Sequence, residues 1–214
     1  MGFQIRARRI WRPASTIMRD LRAAPGYSFL ELLFVMGLVM TIAGIAVPGI
    51  LAGLNDLQTL GGVRYISARL QRARMDAVSR GVNVAMRFTT IGTSYSYAIY
   101  ADGNGDGVRS RDIQRGIDEP LARDERLPEQ FPGVDFATLP GLPAVDASSP
   151  APGSDPLALG ASNMVAFTPL GTSTPGSLYI LGPRGTQYVI RVFAETGKTR
   201  ILRFDARARR WEAL

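Results

Sequence analysis

Between Phe29 and Leu54 the chain holds one ionisable side chain, Glu31, in an otherwise uncharged apolar run. A carboxylate at the entrance of a lipid-facing segment is costly unless it meets a partner, so an acid there marks a functional site. Six arginines (Arg6, Arg8, Arg9, Arg12, Arg19 and Arg22) precede it, offset only by Asp20. The order is a basic leader, Gly26, the aromatic Tyr27, then a glutamate five residues after the glycine, then an apolar helix. A removable secretory signal would have an apolar core of only about 7–15 residues and no acid, although Gly44-Ile45-Ala46 weakly matches its cleavage site. A plain anchor accounts for the roughly 20 apolar residues a span requires. It does not account for Glu31 or for the glycine placed before the run.

Two further clusters carry chemistry. Asp102-x-Asn104-x-Asp106-Gly107 copies the opening of an EF-hand loop, with oxygen ligands at alternate positions and glycine at the sixth. The twelfth position is Ile113, and Asp112 falls one residue short of it. Asp102, Asn104, Asp106 and Asp112 are therefore candidate calcium ligands, while the same residues also favour a Gly/Asp turn between strands. From Arg184 onward there are eight basic and three acidic residues, among them Lys198, Arg200, Arg203, Arg207, Arg209 and Arg210. These six are candidate DNA contacts, suited to salt-sensitive, sequence-independent binding of phosphate. Asp102 to Asp135 is net acidic, nine acids against five arginines. Neutralisation between the two segments, within one molecule or between neighbours, is the competing reading.

Composition excludes much else. The chain has 214 residues, no cysteine and no histidine. Disulfides, thiolate zinc sites, thiol nucleophiles and serine-histidine-acid triads are impossible, and an enzyme is not expected. Of the net charge of +7, the first 26 residues carry six Arg and one Asp, or +5, which leaves about +2 for the rest. The charge speaks first to topology: a basic leader stays cytoplasmic and the residues after Leu54 lie beyond the membrane.

The elements that position these residues follow from periodicity. One long helix is predicted from Phe29 to about Arg80, with residues 27–54 forming a membrane or filament-core half that is apolar all round. Residues 55–81 form an amphipathic half, in which Leu51, Leu54, Leu57, Leu60, Val63, Ile66, Leu70, Ala73 and Val78 recur at helical spacing. Pro48 predicts a kink or local melting, Gly61-Gly62 a second weak point, and Gly81 a left-handed cap. Residues 82–214 read as a β-rich domain. Val82 to Phe88 alternates as a half-buried strand, with Tyr95 to Ala101 as its hairpin partner. Residues 102–160 read as a long loop with a short strand at Val134 to Phe136, and Pro140 to Pro156 as lacking fixed structure. Strands resume at Met164–Thr168, Leu178–Leu181, Gln187–Phe193 and Arg200–Phe204. The expected fold is α+β, with an antiparallel sheet packed on the amphipathic half of the helix.

Gly26-Tyr27-Ser28-Phe29-Leu30-Glu31 resembles the class III signal of type IV pilins and type II secretion pseudopilins, with Tyr27 and Ser28 where Phe and Thr are usual. The helix end Arg69-Leu70-Gln71-Arg72-Ala73-Arg74-Met75-Asp76-Ala77-Val78-Ser79-Arg80 and the later Gly197-Lys198-Thr199-Arg200 resemble the GspH/FimT group of minor pseudopilins. The resemblance implies the pilin fold, cleavage of the Gly26-Tyr27 bond by a prepilin peptidase, and methylation of the new Tyr27 amine by the same enzyme. It further implies that Glu31 meets the N-terminal amine of a neighbouring subunit. The implied partners are other pseudopilins or pilins, an inner-membrane assembly platform, and membrane lipid before assembly. The implied location is the bacterial inner membrane, single-pass, with a periplasmic domain. Two roles live in the group, a minor pseudopilin supporting protein export and a minor type IV pilin for pilus assembly or DNA uptake. A freestanding membrane-anchored binding protein would keep the helix without needing Glu31.

Overall fold

The computed structural model describes residues 26–146 and 149–214. The basic leader, Gly26 apart, lies outside them. The chain divides into two compact units, one ending at Ile45 and one running from Ala46 to Leu214. A single helix, α1 (Phe29–Arg80), contributes to both. Ser28 caps its start, its hydroxyl accepting the Leu30 N–H at 3.3 Å in place of the carbonyl that the first turn lacks. At the other end Gly81, with φ +69°, donates its N–H to the Ala77 carbonyl at 3.0 Å, a left-handed cap.

α1 runs unbroken through Pro48 and through Gly61-Gly62, so the local melting expected there does not occur. One missing donor at Pro48 leaves the bonds of the flanking turns in place. The two glycines have a packing reason instead: a Cβ at Gly61 would lie 3.0 Å from the Phe131 ring, and one at Gly62 3.2 Å from Val134 Cγ1. The buried stripe of α1 is Thr59, Val63, Ile66, Leu70, Ala73 and Ala77. Periodicity predicts a longer stripe, yet Leu51, Leu54, Leu57 and Val78 are exposed. Spacing marks a face to be covered, and the sheets of this one chain cover only the part from Thr59 to Ala77.

After α1 come β1 (Val84–Ile91), β2 (Ser94–Ala101), α2 (Ser110–Gln114), β3 (Glu119–Pro120), β4 (Glu125–Arg126), α3 (Leu127–Gln130) and β5 (Asp135–Phe136). Then follow β6 (Leu157–Ala158), β7 (Met164–Phe167), β8 (Gly176–Leu181), β9 (Gln187–Val192), β10 (Thr199–Asp205) and β11 (Arg210–Ala213). Among the described residues these form two antiparallel sheets where one was expected. The first runs β3-β2-β1-β7 with β4 also on β2, and the second β11-β10-β9-β8-β5 with β6 also on β8. β1 is buried on both faces only at its start, where Ala85 is buried along with Val84 and Met86, while Thr89 to Ile91 are exposed.

The α1 stripe, the inner residues of β1 and the inner residues of β8 and β9 (Leu178, Ile180, Ile190, Val192) share one core. On the other face of the second sheet Tyr179, Val189 and Leu202 pack with Leu142, Phe204 and Trp211 in a smaller one. The stretch 102–160 is therefore more ordered than a loop, carrying α2, α3 and four two-residue strands. Pro140 to Pro156 has no helix or strand among its described residues, but it is tied down. Leu142 is buried, Trp211 Nε1 donates to the Pro143 carbonyl at 3.0 Å, and Arg191 meets Asp146 at 3.2 Å.

The β8–β9 turn rides directly over α1, where a Cβ at Gly182 would fall 2.1 Å from Thr59 Oγ1 and 2.7 Å from its Cγ2. Gly182→Ala is expected to lower stability by about 1–3 kcal/mol through overpacking, measured by thermal unfolding of the full chain in detergent. Thr59→Ala in the same chain should restore part of the loss by removing the two closest of the three clashing atoms, leaving Cβ at 2.9 Å. Equal stability of wild type and G182A would show that the turn does not rest on the helix.

Candidate functional site

At the N-terminus, Gly26 and Tyr27 precede the helix and are exposed. Glu31 lies in the first turn of α1, where the positive end of the helix dipole favours a carboxylate. No hydrogen bond or ion pair holds it among the described residues, and the next charge along α1 is Asp56. An 18-residue window of α1 has a mean hydropathy of 2.3, and none of it is buried within the chain. A Cβ at Gly26 would meet nothing within 4 Å, so the chain's own packing places no demand for glycine there.

A polar clamp that sequence reading did not find holds one flank of the α1 stripe. Glu125 Oε2 accepts the Tyr65 hydroxyl at 2.6 Å and the Tyr97 hydroxyl at 3.1 Å, and Arg69 pairs with Oε1. The Arg69 guanidinium also stands 5.9 Å from the Tyr65 ring centroid, within cation–π range. Burial, then the Glu125 charge, pushes the Tyr97 phenol well above its ordinary range, so it remains a donor at any working pH. On the other flank Ser67 and Gln71 reach the Thr199 hydroxyl at 2.8 and 3.2 Å, and Arg74 Nε donates to the Gly171 carbonyl at 3.1 Å. Gly197 makes this possible. Its φ is +59°, and a Cβ there would fall 2.5 Å from Gly171 O and 2.9 Å from Arg74 Cδ. The Gly197-Lys198-Thr199-Arg200 motif is thus a seat for the helix end.

The candidate calcium ligands do not converge. Asp102 is buried, and its carboxylate accepts the N–H groups of Asn104, Gly105 and Gly107 at 3.2, 2.7 and 2.8 Å, with the Asn83 amide at 2.9 Å. Asp106 pairs with Arg109 at 2.7 Å, and the Asn104 side chain accepts the Asp106 N–H. Asp112 is buried in α2. Asp118, unremarked in the sequence, accepts the Gly103 and Arg109 N–H groups at 3.1 and 2.9 Å. No three acids among the described residues group as a metal site. The Asp102 and Asp118 oxygens face N–H donors, as a Gly/Asp turn requires, whereas Asp112 Oδ2 is buried with no hydrogen-bond partner among the described residues.

The six candidate DNA contacts are likewise dispersed. Arg200 and Arg203 are three apart on β10, so alternation sends them to opposite faces. Arg200 lies across from Arg191 and Arg203 from Tyr188. Arg209 donates to the Gly141 carbonyl at 3.4 Å, Arg210 is paired with Glu212 at 2.9 Å, and Lys198 sits in the β9–β10 turn. Arg203 and Arg207 share a groove with Arg184. The acidic surplus of 102–135 is largely consumed locally: Asp102, Asp112 and Asp118 are buried, while Asp106, Glu125 and Glu129 meet arginines.

A capped helix whose first half is bare and whose second half is clamped between antiparallel sheets defines the pilin-like class of α+β protein. The chain belongs to the family of type II transport protein GspH, whose family model matches residues 63–196. That span holds the buried α1 stripe from Val63 onward and strands β1 to β9. The solved structure of the minor pseudopilin EpsH from the type 2 secretion system of Vibrio cholerae is similar at 13% identity and a TM-score of 0.42, over 68% of this chain and 97% of that one. No curated protein matches the sequence.

Burial alone would raise the Asp102 carboxyl, but the Asn83 amide and three backbone N–H groups outweigh it and hold the group below the usual range. Its contribution to stability is therefore full above the unfolded value, about 3.9, and is lost as pH falls through the folded one. Asp102→Asn should cost about 1–3 kcal/mol at neutral pH. The difference from wild type in thermal melts should begin to shrink below about pH 4 and close once pH passes the lowered folded value, where the carboxyl is uncharged folded and unfolded. Calcium or a chelator should leave the wild-type melting temperature unchanged.

Proposed function

We propose that this chain is a minor subunit of a type II secretion pseudopilus, anchored in the inner membrane by residues 27–54 before it joins the filament, with its domain in the periplasm. The observation that carries this reading is the lone carboxylate of Glu31 at the head of an uncharged apolar helix. Such a charge in lipid requires a cationic partner, and none pairs with it among the described residues. A prepilin peptidase cutting Gly26-Tyr27 would create an ammonium on Tyr27, and methylation would keep it basic. The amine of one subunit then meets the Glu31 of its neighbour, which selects docked subunits over misplaced ones. Glycine before the cut gives the protease an unobstructed backbone, in keeping with a position where the fold makes no demand of its own. The role is structural rather than catalytic, in contact with other pseudopilins and the inner-membrane assembly platform.

Two substitutions separate the parts of this reading. Gly26→Val should leave an uncut precursor, visible as a larger band. Glu31→Ala should still be cut, giving a terminus at Tyr27 by mass analysis, but should lose co-isolation with type II pseudopilins. Normal co-isolation of E31A, or a native terminus other than Tyr27, would overturn the assignment.

A further inference from the structure

A groove of about 420 Å³ opens between the β8–β9 turn, the end of β10 and the β10–β11 turn, with Arg184, Thr186, Arg203, Asp205, Arg207 and Glu212 on its walls. Its two carboxylates are already engaged. Asp205 accepts the Arg207 and Ala208 N–H groups at 2.8 and 3.2 Å, and Glu212 is held by Arg210. Among the described residues Arg184, Arg203 and Arg207 have no carboxylate within salt-bridge distance. Three exposed guanidinium groups around one concavity are a donor set for phosphate oxygens.

Position decides which phosphate. Thr186 Oγ1, on the groove wall, donates to Asp56 Oδ1 at 2.9 Å, and Gly182 of the same turn lies against Thr59. Tyr188, beside Arg203 on the sheet, feels the charges of both Asp56 and Arg64. The groove is therefore pinned to the residues that immediately follow Leu54, the last of the apolar run. Asp56 is two residues on, about 3 Å along a helix axis. The headgroup layer on each side of a bilayer is roughly 5–7 Å deep. Basic side chains at that level are drawn to anionic lipid over about a Debye length.

We propose that, while the chain is still membrane-anchored, this groove engages the phosphate of anionic lipid headgroups and seats the domain on the bilayer surface. The proposal rests on the anchored reading above. It gives the arginines a use that leaves them free to exchange lipid for a neighbour when the subunit moves into a filament.

The chain has no cysteine, so a single introduced one is unique. Ala206→Cys, on the groove wall and exposed, carries a nitroxide in the full chain reconstituted into nanodiscs. Accessibility to a water-soluble relaxant should fall about threefold in discs of equal phosphatidylglycerol and phosphatidylcholine relative to pure phosphatidylcholine, the electrostatic part fading at high salt. The fall should vanish in R184E/R203E, and also in the milder R184Q/R203Q if charge rather than folding is responsible. A label at Leu170→Cys, in the turn beside Arg74, should report no change. Equal exposure of the Ala206 label in both discs overturns the proposal while leaving the anchor intact. The same protection from inorganic phosphate in phosphatidylcholine discs, or from duplex DNA with no effect of phosphatidylglycerol, also overturns it, assigning the groove to free phosphate or to nucleic acid. Failure of the chain to float with any vesicle overturns both this and the anchored reading.

Discussion

The structure depends on how closely the second sheet can approach α1. Two turns come close against side chains of the helix, and each does so through a glycine. Gly182 covers Thr59, and Gly197 fits beside Gly171 and the stem of Arg74. A methyl group at either point would force the sheet away and open the core that Val63, Ile66 and Leu70 fill between them. Close packing makes such a gap costly, because lost contacts are not regained by relaxation. The sheet is thus fixed to the helix at two levels about four turns apart, residues 59 and 74, and the apolar stripe between them is an outcome of that seating.

The two flanks of the stripe are held differently. Tyr65 and Arg69 fall on one side and Ser67, Gln71 and Arg74 on the other, as spacing on a helix requires. Glu125 gathers the first side, linking α1 to β4 and, through Tyr97, to β2. A half-buried carboxylate with two hydroxyl donors and a guanidinium is well satisfied, whereas the same group missing one partner would be a liability. The second side is bound through backbone carbonyls and one threonine hydroxyl, contacts of lower charge that follow the turns. The helix is therefore oriented about its own axis as well as placed, which fixes the faces that Leu51, Leu54, Leu57, Met75 and Val78 leave bare.

Much of this was legible in the sequence, and what escaped did so for physical reasons. The helix limits, the hairpin at Gly92 and the strands from Met164 to Asp205 follow from period and turn residues, because many side chains repeat the same signal. Two-residue strands repeat nothing. β3, β4, β5 and β6 exist because β2 and β8 offer free edges, a property of the partner and not of the residues recruited. β11 is hidden by its own arginine and glutamate, which charge an edge strand against further pairing. Asp102, Asn104 and Asp106 show the sharper limit. An oxygen at alternate positions serves a cation or a row of N–H groups equally well on paper, and only the direction in which the backbone points its donors tells them apart.

The basic tail makes the same point in reverse. Counted along the chain, Lys198 to Arg210 looks like one positive stripe. Strand alternation, the pairing of β10 with β9 and β11, and the Arg210–Glu212 contact divide it among separate surfaces. What remains concentrated is a triplet drawn from three turns and strands, of which Arg184 is counted in the basic tail but not among its six candidate contacts. Arg184 joins because Gly182 brings its turn down onto Thr59. The constraint that seats the sheet on the helix therefore also sets where the groove of Arg184, Arg203 and Arg207 lies: its Thr186 reaches Asp56, just past the end of the apolar run of α1.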